Sequence, residues 1–127
     1  LYGGSGNLVE ELVLDFEKTI SVDTFTPEKT LHAAHTFVRS DIERFLKTHR
    51  GSAPDCIIAD PPRTGLEGTA ELLAHSRAPK LVLVSCDPAS LSRDLTKLVA
   101  DYEIQSIHLI DLFPQTYHLE SVVELKK

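Results

Sequence analysis

The stretch Leu81-Val82-Leu83-Val84-Ser85-Cys86-Asp87-Pro88 decides how this chain folds. Its first six residues form a continuous apolar run, as a strand covered on both faces requires. Asp87 can then act as a helix N-cap, with Pro88 at the first helical position. Leu91, Leu95 and Leu98 follow at the spacing of one apolar stripe, so a helix is predicted over residues 88–100. A strand that runs directly into a capped helix is one step of α/β order, and the same step repeats outward in both directions. Strands are predicted at residues 18–23 (KTISVD), 36–39, 55–60 (DCIIAD), 104–110 and 121–126. Helices are predicted over residues 40–49, with Phe45 and Leu46 inward, and over residues 66–77. Residues 8–14 read as mostly helical.

Composition bounds the function classes. The 127 residues are 42% hydrophobic and 25% charged, the balance of one ordinary globular domain. Thirteen Lys and Arg against nineteen Asp and Glu give a formal charge of −6, and no basic run offers a general grip on phosphates. This chain by itself is therefore expected to bind nucleic acid poorly. The longest apolar runs, such as residues 81–86, fall far short of the roughly 18 to 20 residues that span a bilayer. No signal-like segment opens the chain, so a cytoplasmic setting and no membrane partner are expected. The two cysteines, Cys56 and Cys86, lie in strand-like runs, which fits a reduced compartment without disulfides; no metal site is expected. Leu1-Tyr2 stands directly before a glycine-rich turn, with almost no strand to feed it, so the chain reads as truncated at its N-terminus. The link from Asp23 to Thr36 is short for a parallel crossover and is interrupted by Pro27, so any helix there should be stunted.

The chemistry-bearing residues gather at predicted strand ends. Gly3-Gly4-Ser5-Gly6-Asn7 precedes a helical stretch, where Gly4 and Gly6 would let the backbone approach a nucleotide-like ligand; a purely structural turn is the alternative. Asp23 closes the next strand, where a carboxylate can accept from two ribose hydroxyls. Asp41 and Asp60 also follow predicted strands and would face ligand at the carboxyl edge, or merely cap the helices after them. Asp60-Pro61-Pro62-Arg63 forms a stiff loop without donors at its prolines, suited to holding a flat base or a substrate edge; a stiff strand-to-helix connection is the plainer reading. Cys86 ends a strand at the N-terminus of a helix, a place that favours a nucleophilic thiolate, whereas Cys56, in mid-strand, reads as a small buried hydrophobe. The segment DLFPQTYHLE at residues 111–120 reads as a substrate-facing loop, and Glu120 at its end could serve as a general base or be a solvated residue opening an edge strand.

Together LYGGSGN, SVD, ADPPRTGL, VSCDPASLSRDL and DLFPQTYHLE, in this order and spacing, closely resemble the RNA 5-methyluridine methyltransferase family. The resemblance covers nearly the whole chain and corresponds to the family's catalytic domain, here residues 1–127, without the upstream RNA-binding regions. It implies a Rossmann-like S-adenosyl-L-methionine-dependent sheet, mostly parallel with an antiparallel last strand, and an RNA partner, tRNA or rRNA. The family's nucleophilic cysteine falls on Cys86 and its base on Glu120. Cofactor contacts fall on Tyr2, Gly4, Gly6, Asn7, Asp23, Asp41 and Asp60, and substrate contacts on Pro61, Pro62, Arg63 and Phe113. Two positions depart from the pattern. Gly3 stands where the family usually has cysteine, an exchange the turn should tolerate. Asp87 replaces asparagine and places a negative charge beside Cys86 that would oppose thiolate formation.

The chemistry asks for both residues. Carbon 5 of uracil is too weak a nucleophile to take a methyl group directly, but a thiolate added at carbon 6 makes an enolate that can. The carbon-5 proton must afterwards leave, and a carboxylate over the ring is a suitable base. Two rival readings stay open. One is an N-methyltransferase of nucleic-acid bases, for which Asp60-Pro61-Pro62 speaks and Arg63, standing in place of an aromatic residue, speaks against. The other is a non-catalytic cofactor- or RNA-binding module, which would need neither Cys86 nor Glu120.

Overall fold

The computed structural model describes residues 1–10, 12–27, 32–112, 114–116 and 119–127. The chain, read from its sequence as one domain, divides into two compact units, Leu1–His49 and Arg50–Lys127.

In the first unit the glycine turn leads into a short helix α1 (Asn7–Glu10) and a 3-10 turn (Leu12–Leu14). Strand β1 (Thr19–Asp23) pairs in parallel with β2 (His35–Arg39), from Thr19 opposite His35 to Asp23 opposite Arg39. Of the link between them, residues 28–31 lie outside the described residues, and the described remainder forms bends and a turn rather than a helix. Helix α2 (Ile42–Thr48) starts where Asp41 caps it, the Arg44 amide donating to Asp41 Oδ1 at 3.0 Å. Its buried residue is Ile42, while Phe45 and Leu46, expected to point inward, are half-buried. Ile42 stands first in the helix, one turn ahead of Phe45 and Leu46, and takes the inward position. His35 is buried with Nε2 at 2.8 Å from Ser21 Oγ, and burial holds its imidazole below the usual 6.5.

The second unit is built on four strands, β3 (Cys56–Ala59), β4 (Lys80–Ser85), β5 (Glu103–Ile110) and β6 (Glu120–Lys126), in the order β3-β4-β6-β5. β3 and β4 are parallel, and β6 runs antiparallel to both β4 and β5, so the last strand is the reversed one. Helix α3 (Ala70–Ala74), entered through a 3-10 turn (Glu67–Thr69), joins β3 to β4, and α4 (Pro88–Leu98) joins β4 to β5. The predicted helix at 66–77 is shortened because Glu67 takes a φ of 45° and Gly68 follows it, which delays regular helix to Ala70. α4 begins as the sequence predicts, with the Ser90 amide donating to Asp87 Oδ1 at 2.7 Å.

The core follows the period of two along the paired strands. Leu81 opposes Leu125, Leu83 opposes Val123 and Ser85 opposes Ser121, and all six side chains are buried. Leu66, Leu73, Leu91 and Leu98 are buried as well, with α3 packed on α4 and α4 on β4. Val82 and Val84, on the opposite face of β4, are only half-buried, which corrects the expectation of equal cover on both faces. α3 and α4 pack on one another and so serve one side of this sheet. β5 lies at the edge, with Ile107 and Leu109 exposed and a bulge between Ile104 and Ser106. Lys127 closes the unit: its amide donates to Pro79 O at 3.0 Å and its ammonium to Ala74 O at 2.9 Å, at the end of α3. Among the described residues no helix is long and apolar enough to cross a membrane.

Leu83 is 1% exposed at the centre of this core. Leu83→Ala should lower the unfolding free energy by about 2–5 kcal/mol, read from denaturant midpoints, whereas Ile107→Ala on the exposed edge should cost well under half as much.

Candidate active site

In the first unit the glycine turn lies beside the carboxyl end of β1. The Gly3 amide donates to Val22 O at 3.1 Å, and the Gly6 amide to Gly3 O at 2.8 Å. Gly4 and Gly6 have φ of 48° and 91°, which glycine adopts without strain. Asp23 is tied into this turn: Oδ2 accepts the Gly4 amide at 3.0 Å, and Oδ1 accepts the Phe25 amide at 3.0 Å and the Thr24 hydroxyl at 3.3 Å. Burial alone would raise its pKa, but these donors outweigh burial and hold the carboxyl below the ordinary 3.8. Asp23 is therefore an acceptor favoured in its ionised form at the rim of a glycine turn.

Other expected contacts fare unevenly. Asp41 is exposed and engaged as the cap of α2, so the plainer of its two readings describes the hydrogen bond that forms. Tyr2 adopts a φ of 56° just before the turn. Asn7 opens α1, but its side chain lies outside what the structure describes, as do Phe113, Tyr117 and His118 altogether. Gly3 stands where the family usually has cysteine, and the turn is formed around it. A Cβ there would stand 3.0 Å from Ser21 Cβ and 3.4 Å from its Oγ, so Ser21 must give way by a few tenths of an ångström.

In the second unit three strand ends meet around Cys86. The β4–β6 ladder closes at Ser85 opposite Ser121, so one residue further along each strand stand Cys86 and Glu120. Cys86 leaves the ladder in a bend, while Glu120 opens β6 opposite Ile110, so the register brings both residues to the same sheet end. On the other side of β4 the parallel ladder ends at Ala59 opposite Leu83, which carries Asp60, Pro61 and Pro62 alongside Val84, Ser85 and Cys86. Cys86 and Glu120 are both half-buried. Asp60 is half-buried too, and burial pushes its carboxyl up.

The bend after β4 is held locally. Ser85 Oγ donates to Asp87 O at 3.1 Å and accepts the Asp87 amide at 3.3 Å, a serine-closed turn around Cys86. Asp87, read as a charge beside Cys86, directs its carboxylate to the first turn of α4. The Ser90 amide holds its carboxyl below the usual range, and the nearby Arg63 guanidinium acts in the same direction. Pro61 is buried and Pro62 exposed, and the Gly65 amide closes the loop by donating to Pro62 O at 2.8 Å. Two participants escaped the sequence reading: Ser85, and the buried Asp94 in α4, whose Oδ2 accepts the Leu66 amide at 2.6 Å. Gly65, three residues after the second proline, was the available signal for a close approach there.

A parallel α/β unit with a glycine turn and an acid at a strand end, and a second unit with cysteine, carboxylate and proline loop at one sheet edge, define the α/β class of nucleotide-cofactor-type folds. Residues 20–127 match the family described as tRNA (Uracil-5-)-methyltransferase, and the chain belongs to that family. It is 30% identical over 99% of its length to an uncharacterized RNA methyltransferase of Bdellovibrio bacteriovorus, and covers 36% of that protein. It is 44% identical over 72% of its length to an uncharacterized RNA methyltransferase of Thermotoga maritima, and covers 21% of it. Among solved structures it is similar to the Pyrococcus abyssi tRNA (uracil-54, C5)-methyltransferase in complex with S-adenosyl-L-homocysteine. That likeness has a TM-score of 0.74 and 26% identity, covering 98% of this chain and 32% of that one. The Rossmann-like methyltransferase fold with an antiparallel last strand is thereby shown, and the chain spans about a third or less of the length of these relatives.

Because the Asp23 carboxyl is lowered on folding, its contribution to stability is in full above pH 3.8 and is lost as pH falls through the folded value. Asp23→Asn should therefore unfold at lower urea than the parent above pH 3.8, with the gap closing as the pH is taken further down.

Proposed function

We propose that this chain carries the catalytic part of an S-adenosyl-L-methionine-dependent enzyme that methylates carbon 5 of a uridine in tRNA or rRNA through a covalent cysteine adduct. The observation that carries the reading is the register of β4 on β6, which ends at Ser85 opposite Ser121 and so brings Cys86 and Glu120 to a single sheet end. An N-methyltransferase has no use for that pair, and neither has a binding module.

Gly4, Gly6, Asn7, Asp23 and Asp41 in the first unit, with Tyr2 before them, are the residues we assign to the cofactor. The ionised Asp23 carboxylate beside a glycine turn fits a ribose. When bound, the cofactor supplies an electrophilic methyl group. The Cys86 thiolate adds to carbon 6 of the uracil ring, and the electron pair released onto the carbon-5 side makes that carbon able to take the methyl. Glu120 then removes the carbon-5 proton, and the returning electron pair expels the Cys86 sulfur. Pro61 and Pro62 bound the ring, Arg63 carries positive charge to the same edge, and Phe113 is assigned to the substrate with them. With a net charge of −6, this chain by itself should bind RNA weakly.

Two experiments on the full-length protein test the reading. Asp23→Ala should weaken cofactor binding by roughly 1.5–3 kcal/mol in calorimetry, the worth of a hydrogen bond to a charged group, and an unchanged affinity would remove the ribose assignment. Cys86→Ala should abolish methylation, since nothing else adds to carbon 6, whereas Glu120→Gln should accumulate a methylated enzyme–RNA adduct that survives denaturing electrophoresis. Methylation at the parent rate in Cys86→Ala would exclude the mechanism.

A further inference from the structure

We propose that Arg93 and Asp94, on α4, are positioning residues that lock the end of the Asp60–Leu66 loop to the helix that follows Cys86. The proposal rests on the reading of Cys86 as the nucleophile and of that loop as its ligand-facing neighbour.

Three contacts make the lock. Asp94 Oδ2 accepts the Leu66 amide at 2.6 Å, Asp94 Oδ1 accepts Arg93 Nε at 3.3 Å and Nη2 at 3.1 Å, and the same Nη2 donates to Thr64 O. Between Thr64 and Leu66 stands Gly65 with a φ of 78°. A Cβ on it would lie 2.3 Å from Asp94 Oδ2 and 2.6 Å from Arg93 Nη2, so the loop backbone is pressed directly onto the pair. The lock thus needs glycine at 65, and ADPPRTGL and SLSRDL meet at this one point.

The choice of residue is informative. Asp94 is 1% exposed inside a helix whose other buried positions are Ser90, Leu91 and Leu98. Packing alone would be served by another leucine, because an isolated buried carboxylate is costly to desolvate. What the carboxylate adds is direction: it accepts one backbone amide and orients one guanidinium, which a leucine cannot do. Arg93 is half-exposed, so its fork is not needed to fill the core.

The lock also sits on the right lever. Asp94 lies seven residues beyond the Asp87 cap, about 10 Å along α4, and Cys86 immediately precedes that cap. At the near end of the helix the Arg63 guanidinium acts on the Asp87 carboxylate. The loop is tied to α4 through Thr64 and Leu66, and a shift of the loop against the helix would displace Asp60 and Pro61 relative to Cys86. Misplacement by about 1 Å can cost roughly a hundredfold in rate.

The test uses full-length protein, labelled S-adenosyl-L-methionine and total RNA from cells in which the gene is deleted. Single-turnover methyl transfer gives a rate constant, which reports alignment, and an amplitude, which reports the fraction of properly folded enzyme. Arg93→Ala and Asp94→Asn should each lower the rate constant about tenfold or more with the amplitude retained, and Arg93→Lys, which can still reach Thr64 O, should recover part of the loss. A parent rate constant in both variants, or a loss confined to amplitude, would overturn the positioning role while leaving Cys86 as nucleophile. Methylation by Cys86→Ala, run in parallel, would instead overturn the reading on which the proposal rests.

Discussion

The pairing of Ser85 with Ser121 governs the second unit. It is the last rung of an antiparallel ladder whose inner face holds Leu81 against Leu125 and Leu83 against Val123. Each such buried aliphatic side chain contributes about 1.5–3 kcal/mol, so the core resists any change of register. A slip by one residue would turn this whole set toward the opposite face. It would also part Cys86 from Glu120. The same burial that stabilises the sheet therefore aligns the two groups proposed to react, and the chemistry inherits its geometry from the core. Small serines at the final rung keep the sheet edge close without bulk, and Ser85 in addition closes the turn that presents Cys86.

α4 is the second fixed element. One helix receives the Asp87 cap at its start, presents Leu91 and Leu98 to the core, and reaches back through Arg93 and Asp94 to the proline loop. The loop has few donors of its own because of Pro61 and Pro62. External ties are thus what define its path, and they come from the helix attached to Cys86. In the first unit the equivalent economy is at Asp23, which accepts from the Gly4 amide, Thr24 and Phe25 while remaining half-buried at the strand end.

What could be read from the sequence was local chemistry. The strand-to-helix boundary at Cys86-Asp87-Pro88 was legible because an N-cap aspartate and a following proline act within a few residues. Asp41 was legible as a cap for the same reason. Cys86 and Glu120 were legible as residue types placed at the ends of predicted elements, but nothing in the chain near either one says that they reach the same sheet end. That follows from the insertion of β6 between β4 and β5, a long-range pairing decided by core packing. Asp94 was hidden because a charged residue in a helix reads as solvent-facing, and only the approach of Gly65 explains its burial. The inward residue of α2 proved to be Ile42, and β4 proved half-open on one face, since which side neighbours cover is decided by packing that periodicity does not report.

The central claim is that Cys86 attacks a uracil ring held where Glu120 can take the carbon-5 proton. RNA carrying 5-fluorouridine tests it most directly, because fluorine in place of that proton cannot be removed by a base and the covalent complex should persist. Incubating the full-length protein with such RNA and S-adenosyl-L-methionine, followed by proteolysis and peptide mass spectrometry, should place a methylated fluorouridine on the peptide containing Cys86. A complex on Cys56 or another residue, or fluorinated RNA that never becomes attached although unmodified RNA is methylated normally, would contradict the account.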